Sequence, residues 1–395
     1  MVDFDVHTTN HRIDRALLML EKSDILDKNR ELITEFHEYA FSIGLTKMRV
    51  IKYVDTLRKL SGWLGVEFNK ASKKDIFRLV REIEQKDYSE WTKHDYKVIL
   101  KRFYKWLNGN EKYPENVEWV RTTFKKKNSK LPEELIGVED VKKMINTAGH
   151  PRDKALVSLL YESGCRISEI LNMRIKHLEF DEYGAKIIVN GKTGMRKIPI
   201  VSSTPSLAAW YEIHPSRDNP NAPLWVSIGT RNKGEPIKYH VVRGMLANLA
   251  RKTGLKKRVH PHLFRHSRAT HIASHFTEAQ MNQYFGWIQG SEMPSTYVHL
   301  SGRDINEAVY RLNGLVKKDE DTKEKFSTKQ CHRCEKVNPP TGKFCNRCGA
   351  TLDLETAMNI EEKTKEVDEA TDVLLKDPEF LNLLVSKIKQ MNIQI

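Results

Sequence analysis

Residues 185–200 read AKIIVNGKTGMRKIPI, where the hydrophobic period of the chain changes from helical to extended. The β-rich runs 185–190 and 196–201 flank Gly191-Lys192-Thr193-Gly194, a pattern typical of a β-hairpin with a glycine-containing turn. The sequence on either side predicts helices at 138–148, 152–163, from Ser168, 239–253, 265–275, 278–285 and 303–313. Residues 219–236 hold five Pro and Gly residues and indicate irregular loops. Residues 131–316 are therefore expected to form a mainly helical domain with a small antiparallel sheet.

The first 120 residues predict a separate helical domain of consecutive short helices, without a catalytic pattern. Ser72 precedes the fourth helix and has Asp75 three residues on, which resembles a capping box. The fifth helix is expected to end at Asn108-Gly109. Lys97 and Lys101 on this helix lie off its apolar stripe. They are candidate DNA contacts, although an ordinary solvated helix face would show the same pattern.

The charge of the chain indicates a polyanionic partner such as double-stranded DNA. The formal net charge is +14 and the isoelectric point is near 9.3. Residues 351–395 contain ten acidic and five basic residues, a net of −5, so the preceding 350 residues carry +19. The expected linker 121–130 contains no acid and five basic residues, Arg121, Lys125, Lys126, Lys127 and Lys130. These side chains are predicted to follow phosphates, with a plain solvated linker as the alternative.

The sequence shows no targeting or membrane signal. The start, MVDFDVHTTNHRID, lacks the basic-then-apolar pattern of a signal peptide. No stretch approaches the roughly 20 apolar residues that span a bilayer. A cytoplasmic protein without a membrane partner is the expectation.

Four of the five cysteines, Cys331, Cys334, Cys345 and Cys348, fall within eighteen residues. Two C-x-x-C pairs predict a closed site of four thiolates holding structural zinc, because two disulfides would conflict with a reducing compartment. The fifth, Cys165, is expected to be buried and inert. We expect a linker at 317–330, a zinc ribbon at 331–352 and a helical tail at 353–395.

Several scattered residues have the chemistry needed to break a phosphodiester. Arg166 and Arg265 can offer paired donors to the non-bridging oxygens. His262 shares a helix face with Arg265 and can move a proton near neutral pH. Lys192, with Lys197 as its rival, can protonate a leaving sugar hydroxyl if its pKa is lowered. Tyr297 is the predicted nucleophile; its rivals are Tyr284, which is expected to be core, and Tyr310.

These motifs together resemble the tyrosine recombinase (phage integrase) family, over residues 131–314. ESGCRISEILNMR resembles the first arginine box of the family, VNGKTGMRKIPI its lysine hairpin, HPHLFRHSRATH its second box and FGWIQGSEMPSTYVHL its tyrosine box. The last box is most similar to archaeal, Xer-like integrases. The resemblance implies active-site roles for Arg166, Lys192, His262, Arg265, Trp287 and Tyr297. Trp287 stands where the family often has His; it can donate from its indole N–H but cannot act as a base. His266, His271 and His299 are expected to support the site rather than react.

The resemblance also implies a function and an assembly. Residues 1–120 would be the core-binding domain of the family and 121–130 the hinge of a clamp around DNA. Tyr297 would form a 3′-phosphotyrosyl bond while a 5′-hydroxyl leaves, without a metal or nucleotide cofactor. Four protomers would act on two DNA sites, and an accessory protein is a further candidate partner. The alternatives are a topoisomerase-like strand relaxer and a catalytically inactive DNA-binding protein of the same fold.

Overall fold

The computed structural model describes residues 4–123, 135–300, 328–353 and some of the residues from 356 to 383. By their contacts these residues divide into two compact units. The first holds residues 4–123 together with 237–240, and the second holds the remainder. Lys125, Lys126, Lys127 and Lys130 of the expected linker lie outside the described residues, as do the helix expected at 303–313, Tyr310 and residues 317–327.

The first unit is helical throughout. Its helices are α1 (Thr9–Glu21), α2 (Asp27–Ser42), α3 (Lys47–Leu64), α4 (Lys73–Gln85), α5 (Glu90–Leu107) and the short α6 (Glu115–Glu118), with a 3₁₀ turn at Phe68–Lys70. Their apolar faces meet in one core around Phe36, Leu57 and Phe103, all at most 1% exposed. The predicted capping box is confirmed, since Ser72 and Asp75 exchange hydrogen bonds at the start of α4.

The second unit begins with helices that lead to the sheet. These are α7 (Val138–Thr147), α8 (Pro151–Ser163) and α9 (Ile167–Leu171). Most residues of α8 are buried, and α7, α10 (Thr204–Glu212) and α12 (Pro261–Ile272) pack against it. The remaining helices are α11 (Tyr239–Lys252), α13 (Glu278–Phe285) and α14 (Met293–Leu300). Helix α12 begins earlier than the sequence predicts, at Pro261, whose fixed φ suits a first helical position.

The predicted hairpin is the centre of a three-stranded antiparallel sheet. Strands β1 (Leu178–Asp181), β2 (Gly184–Gly191) and β3 (Gly194–Ile200) pair in this order. Gly191 pairs with Gly194, so Lys192 and Thr193 form the turn. The fold class expected from the sequence is confirmed, although β1 and α10 carried no signal that predicted them. Buried Glu162 of α8 accepts hydrogen bonds from the backbone N–H groups of residues 201–203 and so ties the end of β3 to the core.

The cysteine-containing segment forms a short two-stranded hairpin with two knuckles. Strands β4 (Lys329–Gln330) and β5 (Val337–Asn338) pair antiparallel. The helical tail expected at 353–395 lies largely outside the described residues. Among the residues that are described, no helix is both long and apolar enough to cross a membrane.

Candidate active site and metal centre

Arg265 lies inside the second unit and is 6% exposed. Its two terminal nitrogens donate to the carbonyl oxygens of Gly164, at 3.0 Å, and Phe285, at 2.7 Å. The guanidinium also lies over the rings of Phe285 and Trp287. Burial, and then the charge of Arg166, lower the pKa of Arg265 to about 10. The group therefore stays cationic at neutral pH but is poorly compensated, which suits a site for an anion.

Arg166 stands immediately before α9 and is held by Glu169 of that helix. Its Nη1 donates to Oε1 of Glu169 at 2.8 Å, and its backbone N–H donates to Oε2 at 2.9 Å. The Arg166 side chain is 27% exposed, whereas that of Glu169 is 2% exposed. The same carboxylate accepts from Arg196 of β3, at 2.7 Å to Oε2 and 3.2 Å to Oε1. One buried acid thus fixes two arginines at the edge of the site.

The turn that carries Lys192 packs beside the segment between α13 and α14. The hydroxyl of Thr193 donates to the carbonyl oxygen of Gly286 at 3.2 Å. Lys192 itself is exposed at the tip. Its rival Lys197 lies on the opposite face of β3 from Arg196, because side chains alternate along a strand, and it pairs with Glu179 of β1 at 2.5 Å. Lys197 therefore points away from Arg196 and Glu169, and the role of Lys192 stays a prediction.

Tyr297 on α14 is 3% exposed and is enclosed by two rings. Its ring stacks on Trp287 with a centroid distance of 5.5 Å and an interplanar angle of 3°. Its hydroxyl lies 2.6 Å from Nδ1 of His266 on α12. Burial raises the pKa of Tyr297, and the charge of Arg265 acts against this rise. The phenol is therefore neutral at physiological pH and needs a base before it can attack.

His262, Arg265 and His266 all lie on α12, but only the last was expected to be a supporting residue. His262 is an exposed residue in the first turn of the helix. No sequence pattern indicated a contact between His266 and Tyr297, which lies 31 residues away. Glu169 and Arg196 were also missed. The one available signal for Arg196 was its position in the predicted strand. Because side chains alternate along a strand, Arg196 lies on the same face as the buried residues Ile198 and Ile200.

Three further expectations, about residues that were not expected to react, agree with the structure. His271 receives or donates a hydrogen bond of 2.9 Å through Nδ1 with the hydroxyl of Tyr161. Tyr284 is partly buried and packs against the core, donates its hydroxyl to the carbonyl oxygen of Glu162, and has its pKa raised by burial to about 12. Cys165 is buried, and burial raises its pKa to about 11, so its thiol is not reactive at neutral pH.

Comparison with known proteins identifies the second unit. A sequence profile of the phage integrase family matches residues 135–303. Tyrosine recombinase XerA of Pyrococcus furiosus is 28% identical over 291 residues, which cover 72% of this chain and 95% of the relative. The chain therefore contains a phage integrase domain at residues 135–303 and is similar to Xer-type tyrosine recombinases. Among solved structures, XerH recombinase in a post-cleavage complex with its difH substrate matches with a TM-score of 0.56 at 17% identity, over 78% of this chain and 91% of the other.

A third similarity is to lambda integrase, as a tetramer bound to a Holliday junction. The TM-score is 0.53 at 14% identity, over 66% of this chain and 78% of the other. At such low identity these structures establish the tyrosine recombinase fold and nothing more. All six residues predicted for the site, Arg166, Lys192, His262, Arg265, Trp287 and Tyr297, fall within the part of the chain that matches the family.

The two predicted DNA contacts on α5 of this chain are engaged within the first unit. Lys97 pairs with Glu84 at 2.7 Å. Lys101 donates to the carbonyl oxygens of Glu118 and Val120 and lies over the ring of Tyr113. Arg121, the basic residue of the linker that falls within the described part of the chain, is exposed. A contact of either lysine with phosphate stays a prediction.

The four clustered cysteines of this chain lie beyond the residues that match the family. Their Sγ atoms are all within 4.8 Å of one another, and the pairs Cys331–Cys348 and Cys334–Cys345 are 3.5 Å apart. A tetrahedron with metal–sulfur bonds of about 2.3 Å has edges of about 3.8 Å, so the spacing fits one metal ion.

The two knuckles of the cluster have the same backbone hydrogen bonds. In each knuckle the N–H two residues after the first cysteine, that of Arg333 or Arg347, donates to its Sγ at 3.4 Å. The N–H four residues after that cysteine donates to its carbonyl oxygen, at 2.8 Å from Glu335 and 2.9 Å from Gly349. Both of these residues have positive φ, 56° and 73°. Donors aimed at sulfur stabilise thiolates, as a metal site requires.

Proposed function

We propose that this protein is a site-specific DNA recombinase that cuts and rejoins strands through a 3′-phosphotyrosyl bond to Tyr297. One observation supports the proposal above the others. A tyrosine hydroxyl, a histidine nitrogen and a buried arginine of the same chain are gathered beside one stacked pair, Tyr297 on Trp287. The nucleophile and the phosphate-binding groups thus come from a single protomer.

The arginines would hold the scissile phosphate. Arg166, anchored through one nitrogen, keeps other N–H donors for a non-bridging oxygen. Arg265 contributes a fixed charge from a site of low polarity, where electrostatic stabilisation of the developing charge is strongest. Trp287 can add its indole N–H and keeps Tyr297 packed. Such fixed donors stabilise the transition state without reorganisation during the reaction.

Two proton transfers complete the step. The Tyr297 oxygen bonds to phosphorus and loses its proton to a histidine, and the geometry favours His266 for holding that hydroxyl. His262, predicted as the base from the motif, would then face the phosphate from the same helix. The bond from phosphorus to the 5′-oxygen breaks, and Lys192 protonates that oxygen. Attack by the 5′-hydroxyl of a partner strand reverses the step and frees Tyr297.

Double-stranded DNA is the proposed substrate, and a tetramer on two sites is the proposed assembly. Lambda integrase has been seen as a tetramer on a Holliday junction, and XerH has been seen bound to its difH site. The basic charge of the chain before residue 351 suits this partner. We propose that phosphate contacts come from Lys97, Lys101, Arg121, Lys125, Lys126, Lys127 and Lys130. An accessory protein bound to the zinc ribbon is a further proposed partner.

We propose that the four cysteines hold one structural zinc ion. Four thiolate ligands leave no open position for a substrate, so the ion would stabilise the ribbon and take no part in strand cleavage. DNA cleavage by Tyr297 needs no metal or nucleotide in this scheme.

The decisive experiment uses labelled duplexes that carry candidate sites and a nick beside the cleavage position, so that a covalent complex cannot religate. The wild-type protein is expected to form an adduct that survives denaturant, and Tyr297→Phe is expected to form none while still binding DNA. Tyr284→Phe is the matched control, because that phenol donates to a backbone carbonyl, and it should retain the adduct.

Three other outcomes would contradict the proposal in different ways. Binding without any adduct would indicate an inactive DNA-binding protein. An adduct that persists in Tyr297→Phe would assign the nucleophile elsewhere. Relaxation of supercoiled DNA without exchange between two sites would indicate a strand relaxer.

A further inference from the structure

The side chain of Arg196 connects three separate parts of the active site. It lies on β3 two residues after the turn, and it is 10% exposed. Besides its two bonds to Glu169, its Nε donates to the carbonyl oxygen of Tyr284 at 3.1 Å, and its Nη2 lies 3.5 Å from Sγ of Cys165. Each of its three guanidinium nitrogens thus has a partner in the protein, and these partners hold the group in place.

Two glycines allow the backbone to come this close. A Cβ atom on Gly191, at the start of the turn, would lie 2.4 Å from Oε1 of Glu169. A Cβ atom on Gly286 would lie 2.7 Å from Nη1 of Arg196, and Gly286 has a φ of +61°. The lysine turn and the segment before Trp287 therefore both press against the pair formed by Arg196 and Glu169.

The two arginines that contact Glu169 divide its carboxylate unequally. Arg196 covers both carboxylate oxygens, with bonds of 2.7 and 3.2 Å. Arg166 has a single side-chain bond to the same carboxylate, through Nη1 at 2.8 Å. A carboxylate without another cation prefers a two-pronged pair with a guanidinium. Without Arg196, Glu169 would draw Arg166 into such a pair and take donors away from the substrate.

We propose that Arg196 is a positioning residue for strand cleavage: it neutralises and occupies Glu169, keeps the Arg166 donors available to the phosphate, and fixes the Lys192 turn beside them. This role rests on the proposed recombinase function. Arg196 touches neither the substrate nor a reacting atom, and it acts only through Glu169 and the backbone. The cost of losing it would appear in the rate of cleavage rather than in DNA affinity.

The test compares Arg196→Met with Arg196→Lys and with the double variant Arg196→Met/Glu169→Gln. Single-turnover adduct formation on nicked DNA gives the rate, and titration with the same duplex gives the dissociation constant. Arg196→Met is expected to cleave ~100-fold more slowly, because small displacements of positioned groups cost this much. Its dissociation constant should change less than threefold. Arg196→Lys should fall between, because one ammonium cannot cover both oxygens as a guanidinium does.

The double variant separates positioning from simple structural support. Glu169→Gln removes the charge that would capture Arg166. The double variant should therefore cleave at least tenfold faster than Arg196→Met alone. Lys197→Met is the matched control, because Lys197 is the next residue but pairs with Glu179 on the other face of the sheet. It should cleave at the wild-type rate. Thermal melting of each variant confirms that the compared proteins are folded.

Folded Arg196→Met that cleaves normally would overturn the assignment, and so would a folded double variant as slow as Arg196→Met. Both results leave the recombinase function intact, because the wild-type adduct still forms. A wild-type protein that binds DNA but forms no adduct would overturn the function and this role together.

Discussion

The Nδ1 atom of His266 lies 2.6 Å from the hydroxyl of Tyr297, although the two residues stand on different helices. The contact joins α12, which carries both His262 and Arg265, to α14, which carries the nucleophile. Because Tyr297 also stacks on Trp287, its ring has little freedom to rotate away. The histidine can therefore hold the hydroxyl in place and is near enough to take its proton.

We predict that His266→Gln slows adduct formation ~100-fold, because glutamine can hydrogen-bond the phenol but cannot accept its proton near neutral pH. The measurement is the single-turnover rate across pH 6 to 9, where the variant should recover partly at high pH as hydroxide replaces the base. His275→Gln, an exposed histidine after the same helix, is the control and should behave as wild type. If His262→Gln alone abolished cleavage while His266→Gln was unaffected, the motif-based base would be the correct one.

Gly286 and Gly290 allow the cost of close packing to be separated from that of backbone strain. Both have positive φ, 61° and 75°, but a Cβ atom would clash with Arg196 only at Gly286 and has nothing within 4 Å at Gly290. Gly290→Ala should cost about 1 kcal/mol of unfolding free energy from the left-handed backbone alone. Gly286→Ala should cost more and should also slow cleavage. If both variants lost the same unfolding free energy in chemical denaturation, the close approach of Gly286 to Arg196 would be contradicted.

The pH dependence of stability should reflect Glu169. Burial alone raises the pKa of this acid, but the hydrogen bond and charge of Arg196 and the hydrogen bonds of Arg166 outweigh it, so the pKa lies below its ordinary value of 4.5. Arg265 and the Cys165 thiol also face this acid. Since the folded pKa is the lower one, the ionised form stabilises the fold above pH 4.5 and this contribution is lost as the pH falls through the folded value.

Glu169→Gln should therefore be less stable than wild type at neutral pH, and the difference should shrink in acid. Urea unfolding at several pH values between about 7 and 3 measures it. Glu179→Gln, which removes an exposed partner of Lys197, is the control and should show no such trend. A difference that stayed constant down to pH 3 would mean that the lost stability does not come from the charge of Glu169.

The metal content of the purified protein tests whether the four cysteines of the ribbon hold zinc. The purified protein should hold one zinc per chain, and Cys334→Ser with Cys348→Ser should lose it, because a site of four thiolates would lose two ligands. Cys165→Ala should keep the metal, since that thiol is buried away from the cluster. Adduct formation on nicked DNA should persist in the zinc-free variant. Loss of cleavage with loss of zinc would contradict a purely structural ion.

Glu335 gives a second test of the knuckles. It has a φ of 56° at the position where the second knuckle has Gly349. A glycine tolerates this backbone better than a glutamate. Glu335→Gly should therefore slow the release of zinc to a chelator, whereas Gly349→Glu should speed it. A faster release from Glu335→Gly would mean that its side chain stabilises the knuckle.

Local patterns in the sequence were sufficient for the elements and the principal candidates. The Gly191–Gly194 turn follows from the glycines and the change of period, the α4 cap from Ser72 and Asp75, and the metal cluster from the cysteine spacing. Each of these features involves residues that are close in the sequence, and backbone geometry determines which of those residues can be in contact. Strand β1 was missed because a four-residue strand carries too little periodicity to be distinguished from a loop.

The sequence by itself determined a helical recombinase fold with a hairpin, the set of residues that can bind a phosphate, and a four-thiolate site. The tertiary structure alone decided which of them touch: that His266 meets Tyr297, that Glu169 is shared by Arg166 and Arg196, and that Lys197 pairs with Glu179. Apart from Arg166 and Glu169, the two residues of each contact are 18 to 31 positions apart in the sequence. Such contacts are set by how helices and strands pack, which no local spacing records.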